Sequence, residues 1–163
     1  EIGHYYWGRL VRDTVWHAEY HEMFGDERRD YSEALSAYYT NGAPAGWQET
    51  HVSAYATAHA WEDFAETWAH YLHIVDTLET AGTFGLTIRP QVKEGEETDF
   101  RSCDPHDFDR LMAAWIPLTV AVNNLNQSMG QDDLYPFVLS PTVMGKLRFV
   151  HGLIRGADEA RPQ

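Results

Sequence analysis

The sequence predicts a mainly α-helical protein, and three observations support this fold class. Apolar residues recur at three- and four-residue steps along most of the 163 residues, and the strict alternation typical of strands is scarce. Aspartate-proline and serine-proline pairs and isolated glycines divide these periodic segments into helix-sized pieces. The length fits one domain that can bury a hydrophobic core.

The N-terminal third is expected to contain three helical segments. The first covers about residues 1–14, and the second covers about residues 27–40 after a break at Gly25 and Asp26. A third segment is expected from Trp47 to Ala58. The apolar side chains predicted to face the core from the first helix are Ile2, Tyr5, Tyr6 and Leu10.

The longest helix is predicted from about Trp61 to Thr80, where Gly82 follows it. Residues 82–103 carry glycines, a proline and an acidic cluster, which predicts a surface excursion with one short strand near 84–88. Two further helices follow, and each is predicted to begin at an aspartate-proline or serine-proline dipeptide. They are expected over about 105–129 and 141–155.

The composition excludes several kinds of partner. Twenty-five acidic against twelve basic residues give a net charge of −13, which opposes binding to nucleic acid or to an anionic membrane surface. Cys103 is the only cysteine, so an internal disulfide and a cysteine-rich zinc module are both excluded for this chain. Together with the lack of a long apolar run, these features lead us to expect a cytoplasmic protein.

The first stretch that could carry chemistry is "EIGHYYW" at the start of the chain. Glu1 and His4 are three residues apart, so one face of a helix can present both. With one more histidine upstream, the stretch becomes H-E-x-x-H. That motif places two histidines on one metal ion and a glutamate beside the attacking water.

The second stretch is "SAYATAHAWEDFAETWAHYLH". Glu62 and Glu66 share one face of the long helix, among bulky apolar side chains that include Trp61 and Trp68. Two carboxylates in such surroundings need a cation or hydrogen-bond donors opposite them. Tyr55 lies seven residues before Glu62, so its hydroxyl points to the same place if the helix is continuous.

Combined, the two stretches predict a catalytic zinc site. His4 and Glu62 each supply a ligand, a histidine before Glu1 supplies a third, and the fourth position stays open for water. Glu1 then acts as general base, and Tyr55 donates a hydrogen bond to the oxyanion. Glu66 is expected to hold the second ring nitrogen of a histidine ligand.

The sequence resembles the bacterial family of putative zinc-binding metallopeptidases, and more widely the zincins of the gluzincin type. The resemblance rests on "EIGHYYWGRLVRD", "MFGDERRDY", "SAYATAHAWEDFAETWAHYLHIVDTLETA" and "NNLNQSMGQDDLYPFVLSP". It implies that residues 1–163 form the helical C-terminal part of such a domain, preceded by a zinc ribbon and the first histidine of the motif. It also implies a zincin-like helical fold, Zn²⁺ as cofactor and a peptide or protein as substrate. The residues it assigns are Glu1 as general base, His4 and Glu62 as zinc ligands, and Tyr55 as the tyrosine before the ligand glutamate.

Three other interpretations stay open. Glu1 and His4 also have the E-x-x-H spacing of a di-iron carboxylate bundle, although that site needs a second such pair. A metal-free helical domain could instead bind a protein partner through its aromatic surface. His17 and His21 have the spacing of metal ligands, but the pattern favours a polar surface pair over a second metal site.

Overall fold

The computed structural model describes residues 2–89, 98–102, 104 and 106–159. Within these ranges the protein is mainly helical, with one antiparallel two-stranded sheet, as the sequence predicts. The strands are β1 (Thr87–Ile88) and β2 (Thr98–Asp99), so the strand expected near 84–88 is confirmed. The helices are α1 (Ile2–Leu10), α2 (His17–Phe24), α3 (Tyr31–Asn41), α4 (Ala60–Thr83), α5 (Phe108–Ser128) and α6 (Pro141–Glu159).

The chain divides into two compact units. The first comprises the residues up to Tyr71 together with those from Phe137 onward, and the second is Leu72–Pro136. All the candidate site residues that the structure describes belong to the first unit. The predictions for Glu1 and Cys103 concern residues outside the described ranges, as does most of the acidic part of the 82–103 excursion.

Aromatic side chains from several helices form the core of the first unit. Tyr20 on α2 is fully buried and stacks on Phe24, with ring centroids 5.2 Å apart. Both rings also meet Phe64 of α4 edge-on, and Phe24 contacts Phe149 of α6. Such contacts add a directional preference to the burial of apolar area, so they fix α2 and α6 against α4.

The face that α1 turns to the core differs from the predicted one. The buried residues are Gly3 and Trp7 on α1 and Val11 directly after it. Gly3 is packed so closely that a Cβ atom placed there would lie 2.6 Å from Cα of Ala65 on α4. Because only glycine permits this approach, the buried stripe follows Gly3, and the apolar residues predicted to be buried are left exposed or partly exposed. Those residues are Ile2, Tyr5, Tyr6 and Leu10.

Two of the predicted boundaries in the N-terminal third are wrong for local reasons. Gly25, with φ +98°, breaks the chain as predicted, but it does so by ending the unpredicted helix α2, and Asp26 does not cap the next helix. The next helix, α3, starts instead after Asp30, whose side chain accepts a hydrogen bond from the Glu33 backbone N–H at 2.7 Å.

The helix expected from Trp47 to Ala58 is also absent. Two short 3-10 turns, Trp47–Glu49 and Tyr55–Ala58, take its place. Ser53 competes with helix formation, because its hydroxyl oxygen accepts the Ala56 backbone N–H. His59 is then extended, with φ −158° and ψ 150°, before α4 begins.

The later helices agree with the sequence more closely. α4 contains the whole predicted span from Trp61 to Thr80, and α6 begins at Pro141 as expected. α5 begins a few residues later than predicted, because Asp107 caps it by accepting the backbone N–H groups of Asp109 and Arg110. No helix in the described ranges is both long and apolar enough to cross a membrane.

The second unit is built on α5, the end of α4 and the two-stranded sheet. Gly82 on α4 lies against the backbone of Phe100, where a Cβ atom would be 3.1 Å from the carbonyl oxygen. The buried apolar residues of this unit are Ile74, Leu78, Ala81, Phe100, Phe108, Leu111, Met112, Ala114, Trp115 and Leu118.

The contact between Gly3 and Ala65 can be tested by measuring stability. Gly3→Ala forces α1 away from the α4 backbone, and we expect it to lower the free energy of unfolding by about 1–3 kcal/mol. Gly8→Ala is the matched control in the same helix, because its Cβ would meet only the mobile end of Arg12. We expect that control to be neutral or stabilising by up to about 1 kcal/mol. Equal urea midpoints for the two variants would show that α1 does not depend on the close approach.

Candidate metal centre

The close crossing of α1 and α4 brings His4 beside Glu62. The Nε2 atom of His4 lies 3.2 Å from Oε1 of Glu62. The His4 ring also packs on Trp61, with centroids 4.4 Å apart. His4 is therefore held in a fixed position by α1 and by its contacts with α4.

His4 and Glu62 form an ion-pair contact across 3.2 Å. His4 Nε2 is inaccessible to solvent and has no well-formed hydrogen bond to any residue that the structure describes. A buried polar atom without a partner costs free energy, so a cation shared by His4 and Glu62 would offset this cost. An imidazole nitrogen and a carboxylate oxygen aimed at one place are a donor set that zinc accepts, and the residues present thus fit this ion.

Tyr31 is a member of the site that the sequence reasoning missed. It is the first residue of α3, and its hydroxyl donates a 2.5 Å hydrogen bond to Oε1 of Glu62. This bond to Glu62, together with burial, raises the pKa of the Tyr31 hydroxyl. The cap signal at Asp30 and Glu33 could have located the helix start, but nothing local indicates a partner 31 residues further along the chain.

Tyr55 also lies within the electrostatic reach of Glu62. Burial and the charge of Glu62 raise the pKa of the Tyr55 hydroxyl to about 12, so the group keeps its proton at neutral pH. Its hydroxyl interacts with that of Tyr31 as well. The continuous helix that would place Tyr55 on the face of Glu62 is absent, and a 3-10 turn carries the tyrosine to this place instead.

Glu62 itself remains ionised. Burial raises the pKa of its carboxyl group, but His4 and the Tyr31 hydroxyl lower it by more, so that the pKa lies below its ordinary value. Glu62 is only 4% exposed. A carboxylate that is charged and almost fully buried is suited to bind a cation.

Glu66 contacts the segment that carries Tyr55. Its Oε2 accepts a 2.6 Å hydrogen bond from the Ser53 hydroxyl, and the same hydroxyl oxygen accepts the backbone N–H of Ala56. The predicted role of holding the second nitrogen of a histidine ligand stays a prediction. The contact that the structure places at Glu66 fixes the 3-10 turn of Tyr55.

Asp63, next to Glu62, anchors α4 to α6. Its Oδ2 accepts a 2.6 Å hydrogen bond from the buried ammonium group of Lys146, which also donates to the Thr50 carbonyl oxygen at 2.7 Å. Burial raises the pKa of the Asp63 carboxyl, and the charge of Lys146 opposes that shift. This ion pair ties the segment after the first 3-10 turn to both helices.

His59 is a structural histidine. Its Nδ1 accepts the backbone N–H of Trp61 at the start of α4, and its Nε2 lies 3.1 Å from the Arg29 carbonyl oxygen. This arrangement requires the proton on Nε2, which leaves no free nitrogen for a metal ion. The ring therefore fixes the loop before α3 against the start of α4.

Comparison with known proteins identifies the family. Residues 1–153 match the family described as "Putative zinc-binding metallo-peptidase". The chain belongs to this family. The resemblance inferred from the sequence is thereby confirmed for almost the whole chain.

Curated relatives of this metallopeptidase family member come from mycobacteria. An uncharacterised protein of Mycobacterium tuberculosis and one of Mycobacterium bovis are each 45% identical to it over 163 residues. These alignments cover 99% of this chain and 46% of each relative, so the chain spans less than half the length of the relatives it matches. No solved structure shows a significant match.

Removal of the Lys146 charge should destabilise the first unit. Lys146→Met leaves Asp63 buried without its cation, and we expect a loss of about 3–5 kcal/mol in the free energy of unfolding. The double variant Asp63→Asn with Lys146→Met removes both charges and should recover part of that loss. Denaturant titration of the three proteins checks this. A single variant as stable as the parent would mean that the ion pair contributes nothing.

Proposed function

We propose that this chain contributes the zinc-binding and catalytic residues of a metallopeptidase that hydrolyses peptide bonds. The observation that carries the proposal is the pair His4 and Glu62, whose ligand atoms lie 3.2 Å apart while His4 Nε2 has no well-formed hydrogen bond within the described part of the chain. Membership of a zinc-binding metallopeptidase family supports the same conclusion. The third ligand in this proposal is a histidine immediately before Glu1, which completes H-E-x-x-H.

In this proposal zinc, Glu1 and Tyr55 have separate catalytic roles. A zinc ion held there supplies Lewis acidity, which lowers the pKa of water and polarises the substrate carbonyl. Glu1 takes the proton from the attacking water and later passes it to the leaving amine. Tyr55, protonated at neutral pH, donates a hydrogen bond to the oxyanion that develops on the carbonyl oxygen.

Tyr31 and Glu66 act through other residues. The Tyr31 hydroxyl holds Oε1 of Glu62 and so restricts the rotation of the carboxylate that would bind zinc. Glu66 holds Ser53 and thereby the turn that presents Tyr55. Both contacts reduce the reorganisation needed when a substrate binds.

A peptide or a protein segment is the substrate in this proposal, and the cytoplasm is the compartment. The net charge of −13 argues against nucleic acid and anionic membranes as partners, and it favours peptides with basic residues. A set of matched basic and acidic quenched-fluorescence peptides tests this preference.

A metal-free interaction domain is the second candidate. Its support is the exposure of apolar residues on and near α1, where Ile2 is 64% and Tyr5 59% exposed. This candidate requires that substitution of Glu62 leaves metal content and function unchanged.

Zinc stoichiometry distinguishes these candidates. We expect the chain with one histidine added before Glu1 to gain a zinc ion that the same chain with an added alanine binds much more weakly. Glu62→Gln should remove this ion. Glu79→Gln, an exposed glutamate on the same helix, should keep it. Metal content equal in all four proteins would contradict the proposal.

Tyr55→Phe tests the oxyanion role. In the histidine-extended chain, we expect kcat on quenched-fluorescence peptides to fall about 100- to 1,000-fold, with KM little changed, because the lost hydrogen bond forms only in the transition state. Tyr5→Phe, which removes an exposed hydroxyl of α1, is the control and should keep full activity. An unchanged kcat for Tyr55→Phe would exclude this tyrosine from catalysis.

A further inference from the structure

A second group of metal-binding side chains lies at the end of α2. His17 and His21 are one helical turn apart on this helix. Gly25, with φ +98°, ends the helix by donating its backbone N–H to the His21 carbonyl oxygen. The chain then turns back, which brings Asp26 and Glu27 beside the two histidines.

The ligand atoms in this group are close enough for one ion. One ligand atom each from His21, Asp26 and Glu27 lie within 4.8 Å of one another. His21 Nε2 is 3.8 Å from Oδ1 of Asp26, too far for a hydrogen bond. His17 Nε2 lies 2.9 Å from Oε1 of Glu27 and so fixes that carboxylate from the other side.

Two atoms of this group lack a hydrogen-bond partner in the part of the chain that the structure describes. They are His21 Nε2 and Glu27 Oε2, and both are inaccessible to solvent. The Glu27 side chain is only 11% exposed, whereas those of His21 and Asp26 are 42% and 40% exposed, so the group borders solvent and an ion can enter it. A carboxylate oxygen and an imidazole nitrogen left unpaired at one place are costly unless a cation joins them.

The position of the group at the end of α2 also favours a bound cation. The C-terminus of α2 presents a negative partial charge, which favours a cation there. The Arg28 guanidinium donates hydrogen bonds of 2.7 Å and 3.0 Å to the Asp26 carboxylate. Its side chain is 74% exposed and adjoins the turn, so it can move into solvent when an ion takes its place.

We propose that His21, Asp26 and Glu27 bind a divalent transition-metal ion such as Zn²⁺, with His17 as the residue that positions Glu27. One imidazole and two carboxylates form a donor set that Zn²⁺ accepts. This site is separate from His4 and Glu62, and it does not depend on the proposed peptidase function. The sequence alone favoured a polar surface pair at His17 and His21. The carboxylates of Asp26 and Glu27 come from the turn after α2, and the spacing of the two histidines could not predict that this turn lies beside them.

Calorimetric titration with Zn²⁺ tests the site in the Glu62→Gln chain, in which the first centre lacks a ligand. We expect this protein to bind one equivalent of Zn²⁺. His21→Ala and Glu27→Gln, each added to it, should lose that equivalent. His17→Ala should keep the stoichiometry but weaken binding about 10- to 100-fold, as expected for a residue that orients a ligand.

Arg28→Ala is the matched control, because it changes the same turn without removing a ligand. It should keep the equivalent. Two results would overturn the proposal. One is that the Glu62→Gln chain binds no Zn²⁺ in the titration. The other is that the added His21→Ala and Glu27→Gln substitutions leave Zn²⁺ binding as tight as in their parent.

An NMR measurement on the unsubstituted chain tests the same site even if the substituted proteins fail to fold. In long-range ¹H–¹⁵N spectra of the wild-type chain, Zn²⁺ should shift the His21 Nε2 resonance at one equivalent. An unshifted His21 ring at saturating Zn²⁺ would overturn the proposal as well. Either failure leaves the pair His4 and Glu62 unaffected, since that pair is tested by different variants.

Discussion

The close approach of α1 to α4 is the constraint on which the rest of the site depends. At Gly3 the backbones are so near that a methyl group would lie 2.6 Å from Cα of Ala65. The next residue, His4, is therefore delivered to Glu62 by main-chain packing, which a flexible side chain alone could not achieve. A ligand pair fixed in this way loses little entropy when a metal ion binds.

The acidic residues of α4 connect this helix to the rest of the first unit. Glu62 meets Tyr31 of α3 and His4 of α1, Asp63 binds Lys146 of α6, and Glu66 binds Ser53 before the Tyr55 turn. Three buried or partly buried carboxylates on one turn of helix would repel one another without such partners. Each of them has a different partner, so the same charges that could destabilise α4 instead position the elements around the site.

The sequence predicted the features that have long or clear local patterns, but it missed α2 and the two 3-10 turns. Periodicity located α4, and the spacing of "EIGH" and "WEDFAE" pointed to His4 and Glu62 before any fold was known. Features that depend on tertiary contacts were missed. Tyr31 reaches Glu62 across 31 residues, and the buried face of α1 follows a glycine, which carries no hydrophobic signal.

Tyr55 comes close to Glu62 through a local structure different from the predicted one. The helix from Trp47 to Ala58 does not form, because Ser53 caps a 3-10 turn and His59 is extended. The tyrosine still comes within reach of Glu62, since Glu66 holds that turn through Ser53. The continuous helix assumed between Tyr55 and Glu62 is therefore wrong, and the catalytic role of Tyr55 stays a prediction.

The most direct measurement is anomalous diffraction at the zinc edge, on crystals of the histidine-extended chain grown with Zn²⁺. The account predicts a peak about 2.0–2.2 Å from both Nε2 of His4 and a carboxylate oxygen of Glu62. A fully folded protein with no anomalous density between these two side chains would contradict it, whatever other ions the crystal contains.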